Sequence, residues 1–138
     1  LQTNKVKQAI SLFDYIHSVD SPKLAKKISQ EQKKINKSLK LFIQLNIGNE
    51  VQKKGINYSE LKDFKDYCVK ELNLDIIGLM CIPPINFDPN NVFRKMKKYN
   101  IELGLSELSM GMSSDYLEAS KNGSTFLRIG SKIFGNRS

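Results

Sequence analysis

No stretch of this sequence approaches the run of about 20 apolar residues that a helical membrane span requires, so no membrane partner is expected. Cysteine is scarce. Cys68 and Cys81 are the only two, and they lack the CxxC spacing of zinc and redox sites. No metal site is therefore expected, and both read as free thiols of a reducing compartment, hence the cytoplasm. Histidine occurs once, as His17. No acid or nucleophile at a recognisable spacing accompanies it, so a catalytic triad is not supported. Aromatic residues make up 9% of the chain and do not interleave with the lysines, which removes the stacking platform of a nucleic-acid binder. Steep salt dependence of binding to random DNA would speak for that function, but no nucleic-acid partner is expected. Low-complexity segments and interdomain linkers are missing. No signal-peptide pattern opens the chain, and its start on Leu1 rather than Met is read as the mark of a piece of a longer protein.

What is present suits one domain, residues 1–138, with a real core. The net charge is +8, from 22 Lys and Arg against 14 Asp and Glu. Such a balance suits nucleic acid or an anionic small molecule as partner. Most lysines cluster in LAKKISQEQKKINKSLK and VFRKMKKYN at helical spacing, the pattern of solvated helix faces.

Hydrophobic periodicity divides the chain into alternating elements. Leu1–Ile10 reads as a helix and FDYIHSVD as a short strand. Ser21 before Pro22 is a helix start. The helix predicted for Pro22–Ile35 carries Leu24, Ile28 and Ile35 on one face. LKLFIQLNIG is apolar almost throughout, as a strand covered on both faces must be. A polar loop, Asn46–Gly55, follows. Then come a helix over Ser59–Leu72 capped by Ser59, a strand in DIIGLMCIPP, a helix over Asn90–Tyr99 and a strand over Leu105–Met112. Last are a helix over Ser114–Asn122 closed by Gly123, a strand over Thr125–Ile129 and a helical turn over Ser131–Phe134. Strict alternation predicts an α/β fold with a parallel sheet. Five strands fit an open sheet or part of a (β/α)₈ barrel, whose full form takes about 250 residues.

The last two strands carry the candidate chemistry. In (β/α)₈ barrels the loops after the last strands commonly build a phosphate site. After Leu108–Met112 the chain reads Ser113-Ser114-Asp115 into a helix start, where free N–H groups and the helix dipole favour anions. After Arg128 it reads Ile129-Gly130-Ser131 into another helix start. Gly130 permits close backbone approach, and Ser113 and Ser131 add hydroxyl donors. Plain helix capping is the other reading of Ser113, Ser114 and Asp115. Alternation puts Arg128 on the face of Phe126 and Gly130. A buried arginine must be paired, either by a ligand in the barrel mouth or by a structural carboxylate.

LQTNKVK, QLNIGNEVQKKGI, IIGLMCIPP and LSMGMSSDYLEASKNGSTFLRIGSKIFG together resemble the YggS/PROSC family of pyridoxal 5′-phosphate homeostasis proteins, over the whole chain and in order. The resemblance implies the alanine racemase N-terminal barrel as fold, here about five βα units without the N-terminal strands. It implies that Ser113, Gly130 and Ser131 hold the cofactor phosphate. It implies that Arg128 faces the pyridine nitrogen and keeps it unprotonated. That suits a carrier, or a racemase-like enzyme, better than a transaminase, and no catalytic residue is assigned. The partners it implies are pyridoxal phosphate and the apo-enzymes that depend on it. A family member is expected to be monomeric, whereas a partial barrel is expected to self-associate through its open edges. The alternative is a pyridoxal phosphate-dependent enzyme such as an amino-acid racemase.

The departures are specific. The family's VSKxKP-like Schiff-base lysine motif and the following FGEN segment do not occur here, and HFIGxLQxNK is matched only from Leu1 to Lys5. Ser131 stands where the family usually has threonine, which keeps the hydroxyl. Lys5, Lys53, Lys54 and Lys132 are the lysines near predicted strand ends, and none has the fixed reach such chemistry needs. Lys53 resembles a lysine the family often carries and reads as a secondary anion contact or a solvated charge. His17, at a predicted strand end, reads as a satisfied structural histidine, with a place near the ligand as the other reading. Met80, Met110 and Met112 read as core, with Met110 and Met112 also able to line a ring. Asn4 and Asn46 are candidate ligand contacts near strand ends.

Overall fold

The computed structural model describes residues 1–48, 54–83, 87–112 and 126–128, the last five of these as backbone. Five strands form one parallel sheet, β1 (Tyr15–Val19), β2 (Lys40–Gln44), β3 (Asp75–Met80), β4 (Glu107–Met112) and β5 (Phe126–Arg128), in spatial order β1-β2-β3-β4-β5. Each new strand is added on the same side of the previous one. Right-handed crossovers of that kind put all connecting helices on one face. A single buried cluster agrees: Val6, Ile10, Leu24, Ile28, Leu61, Phe64, Val92 and Met96 from the helices pack on Ile16, Leu41, Ile43, Leu79 and Leu108 from the strands. The other face turns inward on itself, so the chain is an arc of a (β/α)₈-type barrel.

The helices are α1 (Val6–Leu12), α2 (Pro22–Lys34), α3 (Tyr58–Asp66) and α4 (Pro89–Glu102). Ser21 caps α2 as expected, its hydroxyl accepting from Leu24 N–H at 3.1 Å. Several expectations are corrected. Ile35 does not join the buried face of α2. The helix stops at Lys34, Asn36 takes φ 53°, and Ile35 is 50% exposed. Asn57, not Ser59, is the N-cap residue of α3, and the helix widens after Asp66 into a π-helical turn over Tyr67–Glu71. That turn keeps Cys68 buried. The helix expected over Leu1–Ile10 is a 3₁₀ turn, Thr3–Lys5, continued by α1. Asn4 and Lys5 are therefore exposed helical residues rather than residues of a strand end. The helix over Ser114–Asn122 with Gly123, the ends of the strand over Thr125–Ile129, and the turn over Ser131–Phe134 lie outside the described residues.

β2 is apolar because both of its faces are covered: Leu41, Phe42 and Ile43 are all fully buried. Burial also determines the thiols. Cys68 and Cys81 are buried thiols, not joined in a disulfide, and burial pushes the Cys68 thiol up to about 12. Neither thiol is expected to react with a disulfide reagent at pH 8 until the chain unfolds, when two equivalents should titrate together. Rapid reaction of one thiol in the folded chain would contradict this packing.

Candidate functional site

Side chains on the inward face of the sheet build the interior of the arc. His17 on β1 stacks on Phe42 of β2, with ring centroids 4.4 Å apart and planes at 27°. Its Nδ1 lies 2.6 Å from the Oγ of Ser109 on β4. On a flat sheet β1 and β4, three strand intervals apart, would stand about 14 Å from each other. A side-chain hydrogen bond between them requires the sheet to curl. It therefore reports closure toward a barrel. Gly78 on β3 makes room for this layer. A Cβ there would fall on the carbonyl of Glu107 and within 2.9 Å of the Phe42 ring.

Above that layer is the C-terminal end of the sheet, where barrels of this type carry their sites. Gln44 and Asn46 are half-buried there, and Met80 is buried. The chain after β2 folds back on this rim. Leu45 bridges Ile56, Ile56 N–H donates to Gln44 O at 2.8 Å, and Asn46 N–H donates to Ile56 O at 2.9 Å. Gly55, at φ 121°, allows the return, because a Cβ there would meet Asn46 N at 2.6 Å. Register irregularities in β1 and β4 accompany this end of the sheet, and a third lies nearer the start of β3, between Ile76 and Gly78. Bulges of that kind re-aim side chains beside sites.

The last strands meet at the same end. Met112 of β4 pairs with Arg128 of β5. Ser113 is the next residue after Met112 in the sequence, and Gly130 and Ser131 come two and three residues after Arg128. Ser113, Gly130 and Ser131, with Lys53 and Lys132, lie outside the described residues, and Arg128 is described as backbone. Lys54 is exposed. Met80 and Met110 are core, as expected.

His17 is a satisfied histidine, as expected, but it sits within β1 rather than at its end. Ser109, Phe42 and Gly78 were not legible as partners of that histidine. The one local signal was a hydroxyl set between two buried residues, Leu108 and Met110. Among the described residues no cluster of three metal-ligating side chains forms, and no helix is long and apolar enough to cross a membrane.

Comparison with known proteins places this architecture. The chain is 38% identical to the pyridoxal phosphate homeostasis protein of Aquifex aeolicus, over 99% of this chain and 64% of that protein. It is 37% identical to the protein of the same name from Synechocystis, over 99% of this chain and 67% of that protein. It thus spans about two thirds of the length of these curated relatives. The solved structure of PipY from Synechococcus elongatus without pyridoxal phosphate superimposes with a TM-score of 0.89 at 33% identity, over 98% of this chain and 67% of that one. The structure of PipY with pyridoxal phosphate bound gives 0.87 at 32% identity. Alanine racemase from Corynebacterium glutamicum, at 16% identity and a TM-score of 0.72, shares the fold. The sequence pattern described as alanine racemase, N-terminal domain, matches residues 1–138. On an all-parallel, singly wound sheet curled as this one is, that match says that the chain belongs to the alanine racemase N-terminal domain family.

Proposed function

We propose that this chain binds pyridoxal 5′-phosphate at the C-terminal ends of β4 and β5, as part of a protein that maintains the intracellular supply of that cofactor. The observation that carries the proposal is the Met112–Arg128 register. It puts the strand leading to Ser113 beside the strand leading to Gly130 and Ser131. A phosphate group calls for several N–H and O–H donors converging from separate segments, and these two segments supply them. The relatives named for pyridoxal phosphate homeostasis and the pyridoxal phosphate complex of PipY support the choice of ligand.

Each residue has a stated role in this proposal. Ser113 and Ser131 donate hydroxyl hydrogens to phosphate oxygens, and Gly130 lets its N–H approach. Arg128 is a permanent donor with no acceptor. Facing the pyridine nitrogen, it supplies the hydrogen bond and keeps a proton off that atom. The bound cofactor supplies a reactive aldehyde. Half-buried His17 with buried Phe42 and Ser109 forms a layer of the interior beneath the mouth. We assign the chain a binding role rather than turnover, with pyridoxal phosphate-dependent apo-enzymes as recipients and the cytoplasm as compartment.

Ser113→Ala and Ser131→Ala should each weaken cofactor binding by about 1 kcal/mol, the value of one hydrogen bond, or about fivefold in affinity. Absorbance titration of wild type, single and double variants measures this. If inorganic phosphate competes equally well for wild type and the double variant, the phosphate is held elsewhere.

A further inference from the structure

The strongest unassigned feature among the described residues is the link from β1 to β4. Ser109 is fully buried and meets residues of several strands at once. Its hydroxyl meets His17 Nδ1 at 2.6 Å, its carbonyl accepts from Cys81 N–H at 3.2 Å, and in the ladder it pairs with Met80 on one side and Phe126 on the other. It is also the last residue of β4 in register with β5 before the irregularity. From Ser109 to Met112 is three residues, whereas from Phe126 to Arg128 is two. The position of Ser109 therefore determines where the bulge begins and how the ends of β4 and β5 are offset. His17 holds Ser109 from the far side of the interior. Its own ring is held by Phe42, and Gly78 leaves the space for the Phe42 ring.

We propose that the His17–Ser109 hydrogen bond is a positioning device. It pins the curl of the sheet at Ser109 and so sets the geometry of the β4 and β5 ends that bind the phosphate group. The part concerning the phosphate rests on the function proposed above. The part concerning the strand ends does not. His17 acts through Ser109 and touches no ligand in this account.

Two variants separate the hydrogen bond from packing. Ser109→Ala removes only the hydroxyl. His17→Phe keeps a ring against Phe42 and loses the bond. Ser109→Thr, which retains a hydroxyl, is the rescue. Hydrogen exchange on the 138-residue chain and titration with pyridoxal phosphate are the two readouts. Loss of this one part-buried hydrogen bond should raise amide exchange in β4 and β5 by about fivefold to tenfold, with α2 and α4 little changed. Cofactor affinity should fall by about fivefold in both variants and be restored in Ser109→Thr. A rise in exchange spread evenly over helices and strands would reduce the bond to general stability and overturn the proposal. So would unchanged exchange in β4 and β5, or the expected exchange pattern with unchanged affinity. If the wild-type chain takes up no pyridoxal phosphate, the cofactor reading fails, and exchange alone decides whether His17 pins the strand ends.

Discussion

Gly78→Ala is expected to destabilise the chain by about 3 kcal/mol or more, at the upper end of what overpacking a core costs. The added methyl group would fall on the Glu107 carbonyl, part of the adjacent strand, and would press on Phe42 Cε2 at 2.9 Å. Phe42 is fully buried and stacked on His17, so it has nowhere to turn. The β3–β4 ladder runs through this point, Gly78 pairing with Glu107. Relief requires parting two central strands, which breaks backbone hydrogen bonds that are shielded from water. Urea denaturation of the variant against wild type measures the loss. A change under 1 kcal/mol would mean that the interior is far looser than the described packing.

Arg128→Ala should have the largest effect on the proposed ligand. A hydrogen bond to a charged group contributes about 1.5–3 kcal/mol, so pyridoxal phosphate affinity should fall by about tenfold to a hundredfold. The spectrum of the bound cofactor should shift as well, because the group facing the ring nitrogen has changed. Arg128→Lys keeps the charge but loses the planar fork of donors, and it should fall between the two. If affinity and spectrum are unchanged, Arg128 faces a structural carboxylate instead, and the ring lies elsewhere.

The alternating order of helices and strands was legible because each signal is local. LKLFIQL is apolar on both faces, and its residues Leu41, Phe42 and Ile43 are covered on both. Ser21-Pro22 marks a helix start by its own side-chain chemistry, and Ser21 caps α2. The errors fall where tertiary packing chooses between local options. Ile35 fits the apolar stripe of α2, but the chain must turn at Asn36 to enter β2. Ser59 is a good cap by type, yet the bridge between Leu45 and Ile56 fixes the chain so that the helix begins one residue sooner, at Tyr58. The π-helical turn at Tyr67–Glu71 has no sequence signature at all.

The candidate site divides in the same way. The proposed Ser113, Arg128, Gly130 and Ser131 rest on small and hydroxyl residues that follow two strands at predicted helix starts, a pattern written along the chain. The pairing of His17 with Ser109 could not. It joins residues 92 positions apart on strands that are not neighbours. Only a curled sheet brings them together, and curl is a property of all five strands at once.

The most direct test of the proposed site is a titration of ¹⁵N-labelled chain with pyridoxal phosphate, followed residue by residue by NMR. The amides of Ser113, Gly130 and Ser131 should shift most, with a single saturable curve, and inorganic phosphate should move the same three signals. Shifts spread over exposed lysines of α2 and α4, with Ser113, Gly130 and Ser131 unmoved, would contradict the proposed site.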